Sequence, residues 1–260
     1  MDAHKVSTNV THDASPSSAS ERACADHNTQ ATDTPATLTV RIKRQRHADS
    51  APYYQSFTYT GTRDITVAAL LDVINYTDDL YDTEGQPAPR ILWECSCLQN
   101  MCGACAMVIN GIPALACQVF LRDLPPDKIT LEPLSKFPVV HDLVVDRRII
   151  EENLNLTRMY PGASKAPDSR EYEHLYTIAK CLKCGLCLEV CPNYHRGERF
   201  HGALLANEAC LSRGLTKERQ KDIKRAYAKH FAAGCSKARS CASICPMNLP
   251  TLSSMLKMNR

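Results

Sequence analysis

No apolar run in these 260 residues approaches the length of a membrane span. The longest candidates, such as Val67–Ile74, are short and amphipathic. Any membrane role therefore falls to a partner chain. The N-terminal stretch has no apolar signal core, and it is too acidic for a mitochondrial transit peptide. No Gly-rich nucleotide fingerprint follows a strand, and no G-x-S-x-G nucleophile elbow is present. The chain carries no sign of substrate chemistry of its own, and no nucleic-acid partner is expected. Net charge is only +3, but it is unevenly spread. Residues 181–260 hold fourteen Lys/Arg against five Asp/Glu, which suits an acidic partner, an anionic membrane surface or a solvated basic face.

What is abundant is cysteine, 14 in all. Cys181-Leu182-Lys183-Cys184-Gly185-Leu186-Cys187-Leu188-Glu189-Val190-Cys191-Pro192 reads C-x2-C-x2-C-x3-C-P, the bacterial ferredoxin run. Three thiolates two residues apart can wrap three corners of a cubane. The fourth, before the proline, ligates the other cluster of a two-cluster module. The complementary group is Cys235 to Pro246, the same template with Ala238 in place of the second Cys. Exchange of the last ligands gives Cys181, Cys184, Cys187 and Cys245 to a [4Fe–4S] cluster. Cys191, Cys235 and Cys241 are left with three thiolates for a [3Fe–4S] cluster or a cubane with one open iron. Disulfides would need an oxidising compartment, and structural zinc favours two separated pairs of ligands.

Cys97, Cys102, Cys105 and Cys117 follow C-x4-C-x2-C…C, the plant-type [2Fe–2S] pattern. Gly103 stands where the backbone must turn tightly between ligands. Eleven cysteines fall into these groups, leaving Cys24, Cys95 and Cys210. Cys95 is read as a buried small side chain, with ligand swapping as the alternative, and Cys210 as core.

Residues 1–36 are rich in Ser, Thr, Ala, Asp and Asn without a hydrophobic period and read as a disordered tail. Cys24, His4, His12 and His27 match no metal motif. From residue 37 alternation predicts a half-buried strand over 37–43, a second over 53–59 closed by Gly61, and a helix over 66–79 capped by Asp64 or Thr66. Asn110-Gly111 marks a hairpin after Ala106–Ile109, and Lys128–Leu131 a last strand. Leu143–Leu154 is expected to be a helix opening the second domain. Helices are also expected over 171–180, over 201–210 with one apolar side and a stop at Gly214, and over 217–232 with Ile223, Tyr227 and Phe231 on one face. The fold class is α+β. A β-grasp [2Fe–2S] ferredoxin domain (37–140) precedes an all-α two-cluster ferredoxin domain (141–260).

In order and spacing these three Cys groups resemble the iron–sulfur subunit of the succinate dehydrogenase/fumarate reductase (complex II) family, over about residues 37–252. Pro138-Val139-Val140-His141-Asp142-Leu143-Val144-Val145-Asp146 is similar to the segment joining the two domains there. The resemblance implies a [2Fe–2S], a [4Fe–4S] and a [3Fe–4S] cluster in series. It implies a flavoprotein subunit with covalent FAD, where succinate and fumarate interconvert, and a cytochrome b type membrane-anchor subunit beside a quinone. Such a chain lies at the cytoplasmic face of a bacterial cell membrane, held there by its partners, and works in the tricarboxylic acid cycle or in anaerobic respiration. The non-Cys residue at Ala238 agrees with the family. Several members carry Trp where this chain has Arg196, His where it has Ser236, and Lys where it has Met247. A quinone is expected near Pro192, Arg196 and Ser236, and the likeness leans toward menaquinone-linked enzymes. The alternative is the iron–sulfur subunit of a related flavoprotein dehydrogenase or thiol-linked fumarate reductase. A hydro-lyase with substrate on an open iron would leave the [2Fe–2S] pattern unexplained.

Overall fold

The computed structural model describes residues 36–159, 169–212 and 217–260. The expected tail, with Cys24 and its histidines, lies outside the described residues, as does Gly214.

Strand β1 (Ala36–Arg44) alternates as expected: Leu38, Val40 and Ile42 are buried, and the residues between them are less so. It pairs antiparallel with β2 (Tyr53–Gly61). Strands β3 (Ala106–Ile109) and β4 (Ile112–Leu115) form a hairpin whose two turn residues, Asn110 and Gly111, both have positive φ (49° and 79°). Strand β5 (Lys128–Glu132) closes the sheet, parallel to β1 and antiparallel to β3, giving the order β2-β1-β5-β3-β4.

Helix α1 (Val67–Asn75) covers this sheet with Val67, Leu70, Leu71 and Ile74, all buried. Of the two expected caps, Thr66 serves: its hydroxyl accepts from the Ala69 N–H at 3.2 Å. Two more N-terminal donors find carbonyls beside Cys117, Val67 N–H to Val119 O and Ala68 N–H to Ala116 O. The helix start is thereby tied to the segment that carries the fourth cysteine of the loop.

The segment expected to be helical from Leu143 is instead a two-stranded ribbon, β6 (Val139–His141) with β7 (Val144–Val145). Helix α2 (Arg148–Thr157) starts only after it. Asp142, at φ 49°, makes the turn, and its buried carboxylate meets the buried Arg44 at 2.9 Å. That pairing, a tertiary contact, overrides the helical period. The ribbon spans residues on both sides of the domain boundary expected at 140/141.

Beyond it the described chain is helical: α3 (Ser169–Ala179), α4 (Leu186–Glu189), α5 (Ala203–Leu211), α6 (Lys217–Tyr227), α7 (Ser240–Ser243) and α8 (Thr251–Met258). A wide turn over Ala228–Ala232 extends α6, and Ile223, Tyr227 and Phe231 are buried along it as expected. The sequence predicts one apolar side for α5, yet Ala203–Cys210 are all buried, Asn207 and Glu208 included. It is enclosed by α3, α4, α6 and α8. The Asn207 amide nitrogen donates to Thr251 Oγ1 (3.1 Å), and Glu208 pairs with Lys183 (3.5 Å). Among the described residues no helix is long and apolar enough to cross a membrane.

Candidate metal centres

The loop over 97–105 is built from positive-φ residues, Leu98 (53°), Asn100 (58°) and Gly103 (76°). This alternation turns successive backbone N–H groups inward, a concavity that favours negative charge. Gln99 and Met101 donate to Cys97 Sγ (3.4 and 3.3 Å), Asn100 to Cys117 Sγ (3.3 Å) and Ala104 to Cys102 Sγ (3.4 Å). Those N–H groups, Gln99 first, draw the Cys97 thiol down to about 7. Cys97 interacts with Cys102, and Cys105 with both Cys102 and Cys117, so the loop and the segment after β4 bring the four sulfurs into one group. Burial pushes Cys105 up to about 12.

The two halves of the helical region share one backbone design. Lys183 and Gly185 flank Cys184 at φ 51° and 88°; Lys237 and Arg239 flank Ala238 at 63° and 63°. A one-turn helix follows in each case, α4 and α7. Ala238 therefore occupies the conformational counterpart of Cys184, without a donor atom. Cys181, Cys184, Cys187 and Cys245 line one cavity, while Cys191, Cys235 and Ala238 line the next, with Cys241 on both. Cys187 feels Cys184, Cys181, Cys241 and Cys245; Cys241 feels Cys191 and Cys235. Burial raises Cys181 to about 11 and Cys187 well above its ordinary value. Bare thiolates are disfavoured in such dry sites, and a cationic metal core reverses that penalty. Among the described residues no three His, Cys, Asp or Glu converge tightly enough for a single ion. Sulfurs spread around a cavity fit a polynuclear core that stands between them. Among the described residues the buried hydroxyls of Tyr194 and Tyr227 have no hydrogen-bond partner. They stand in electrostatic range of Cys187 and of Cys235 respectively, where cluster or cysteinyl sulfur would accept them.

Pro192 and Ser236, two of the three expected quinone residues, line the same cavity as Cys191 and Cys235. Arg196 is placed where its charge acts on Asp146 and Tyr194. Cys95 is exposed, which corrects the expectation of a buried side chain; residues 91–95 belong to no helix or strand, and nothing in the sheet covers the thiol. Cys210 is buried in α5, as expected of a core residue.

Three residues that spacing does not flag tie the loops together. Glu189 accepts from Ser135 N–H (2.9 Å), Ser135 Oγ (2.6 Å) and Lys136 N–H (3.1 Å). The Lys136 ammonium in turn donates to the Cys191 carbonyl. Arg147, at the start of α2, donates from Nη1 to Gly103 O (2.8 Å) and Cys184 O (3.2 Å), and from Nη2 to Ala104 O (3.1 Å) and the Glu94 carboxylate. An arginine has no sequence signature for such a role, because its partners are backbone carbonyls remote in the chain.

Comparison with known proteins agrees with this layout. Residues 39–152 match a 2Fe-2S iron-sulfur cluster binding domain, and residues 177–249 match a 4Fe-4S dicluster domain. The chain is 30% identical to the succinate dehydrogenase iron-sulfur subunit of Bacillus subtilis, covering 86% of this chain and 92% of that one. It is 29% identical to the fumarate reductase iron-sulfur subunit of Escherichia coli, covering 80% and 85%. A chain of the Mycobacterium smegmatis Sdh1 complex in the apo form shares the fold, with TM-score 0.71 at 20% identity over 86% of this chain and 95% of that one. With two cluster-binding domains and a relative 30% identical along 92% of its length, the chain belongs to the family of succinate dehydrogenase and fumarate reductase iron–sulfur subunits.

Proposed function

We propose that this chain is the electron-transfer subunit of a membrane-bound succinate:quinone oxidoreductase or quinol:fumarate reductase, carrying electrons between a flavoprotein and a quinone. The observation that carries the reading is the series of three neighbouring thiol groups: the loop of the first packs on Cys184 of the second, and the second and third line cavities that share Cys241, the last one short of a donor at Ala238. When bound, the clusters supply one-electron centres in series. Cys97, Cys102, Cys105 and Cys117 are the residues we assign to [2Fe–2S]. Cys181, Cys184, Cys187 and Cys245 are assigned to [4Fe–4S], and Cys191, Cys235 and Cys241 to [3Fe–4S]. The first group sits on a β-grasp ferredoxin domain and the other two on a helical domain, joined through the 139–145 ribbon.

The protein's part is to hold, insulate and tune. Backbone N–H groups directed at Cys97 and Cys117 stabilise added negative charge there. Burial of Cys184 and Cys105 keeps water away from the middle of the relay. The exposed apolar rim at Leu98 and Met101, beside Cys97 and Cys102, suits docking of the flavoprotein that carries FAD. At the other end, Leu252 and Leu256 are exposed on α8 beside a 340 Å³ hollow that Lys237 and Arg239 also line. That apolar and basic surface suits a membrane-anchor subunit at the inner face of a bacterial membrane. Pro192 and Ser236 are the candidates for the quinone end. Arg196, the third residue proposed there, stands where its charge acts on Asp146.

The test is turnover with and without partners. The chain purified alone, with its clusters, neither oxidises succinate nor reduces fumarate; added to the flavoprotein and anchor, it restores succinate-dependent quinone reduction. Fumarate formation by the isolated chain would contradict the reading.

A further inference from the structure

We propose that Arg147 is a positioning residue that locks the loop of the first thiol group against the loop of the second, and that its charge sets how readily both centres are reduced. The inference rests on the ligand assignment above. Its grounds are geometric. The guanidinium is held with the Arg147 side chain only 17% exposed. Its two terminal nitrogens have four N–H donors, and the four acceptors found match them: Gly103 O, Ala104 O, Cys184 O and the Glu94 carboxylate. Two acceptors lie in the 97–105 loop, one in the 181–187 loop and one on the approach to Cys97.

The loops it joins are in direct contact. A Cβ built on Gly103 would meet Cys184 Cβ at 2.7 Å, and Gly103 is held at φ 76°. Cys102 and Cys105 flank Gly103 within two residues, so the contact lies between ligands of the first set and a ligand of the second. Only a planar fork with fixed donor directions reaches both carbonyl sets at once; an ammonium on a flexible stem does not reproduce it.

The sign of the charge effect follows from electrostatics. Each centre becomes more negative by one unit on reduction. A cation bonded to the carbonyls of its ligand loops therefore favours the reduced form. Glu94 partly offsets that cation from the solvent side, its side chain being 40% exposed.

The experiment is an EPR-monitored redox titration of the anaerobically purified complex containing wild-type, Arg147→Gln, Arg147→Lys or Glu94→Gln chain. Arg147→Gln lowers the reduced-to-oxidised ratio of both the first and second centres about tenfold at fixed ambient potential, which is about 59 mV for a one-electron couple. Arg147→Lys recovers most of that ratio, because it keeps the charge. The coupling between the two reduced signals still weakens, because the fork is lost. Glu94→Gln removes the charge but keeps an oxygen acceptor for the Arg147 fork; it raises the ratio at both centres and keeps the proposal testable should Arg147→Gln load poorly. The three-iron signal stays within twofold of wild type throughout.

Unchanged ratios in Arg147→Gln, or a shift in Glu94→Gln confined to the first centre, would overturn the proposal while leaving the ligand assignment intact. A wild-type complex with no iron–sulfur signals would overturn the assignment itself.

Discussion

Cys191→Ser is expected to remove most of the oxidised three-iron EPR signal while the four-iron signal keeps near its wild-type intensity. In sequence Cys191 belongs to the first ferredoxin run, only four residues after Cys187. A local reading would assign it to the four-iron centre. In space it stands with Cys235 and Cys241, lining the cavity that Ala238 also lines. On the proposed assignment that centre lacks one protein ligand at Ala238, so it has no reserve when a second thiolate becomes a weaker oxygen donor. The carbonyl of Cys191 is moreover pinned by Lys136, so the backbone cannot easily shift to compensate. Quinone reduction by the assembled complex should fall by at least about tenfold, since changes one shell further out already reach that scale. Flavoprotein-level succinate oxidation with an artificial acceptor should stay near wild type. Selective loss of the four-iron signal would contradict the exchange of ligands between the two halves.

Asp142→Ala is expected to have the largest effect on stability, although Asp142 touches no thiol. Its carboxylate and the Arg44 guanidinium are both 1% exposed and 2.9 Å apart. Asp142 also accepts from the N–H groups of Gln45 (3.2 Å) and Leu92 (3.1 Å). Arg44 further reaches Gln55 Oε1 (3.0 Å), Pro89 O (3.2 Å) and Arg90 O (3.0 Å). One buried pair thus joins the end of β1, the run leading to Cys97 and the β6–β7 turn. Removing the carboxylate strands a buried cation, at a cost of about 3–5 kcal/mol. Total stabilities of about 5–15 kcal/mol make that a large fraction. The urea midpoint of the full chain should fall accordingly, and [2Fe–2S] loading should fall before loading of the helical centres, because residues 89–97 lose their anchor. A midpoint shift equivalent to less than about 1 kcal/mol would mean the pair is not the junction described here.

How far the sequence foretells this molecule depends on whether the signal is local. The first two strands, α1 and the 110–111 hairpin follow from alternation, capping and turn chemistry, all confined to a few neighbouring residues. Cysteine spacing likewise locates the three thiol groups. Over Leu143–Val145 the helical period gives way to a ribbon fixed by Arg44, about a hundred residues away, a contact that no local pattern reports. Cys95 misled because proximity to a motif says nothing about whether its own segment is covered. In α5 the pattern shows polar residues at Asn207 and Glu208, but the partners that permit their burial, Thr251 and Lys183, come from other elements. Arg147 and Glu189 act on loop backbone distant in sequence, and no spacing rule reports such contacts.

Metal and sulfide analysis of the anaerobically purified chain tests the central claim most directly. Three filled centres of the assigned types give about nine iron and ten acid-labile sulfide per chain, the sum of their formulas. About two or three zinc per chain with no labile sulfide, the count for tetrahedral thiolate sites, would contradict the account.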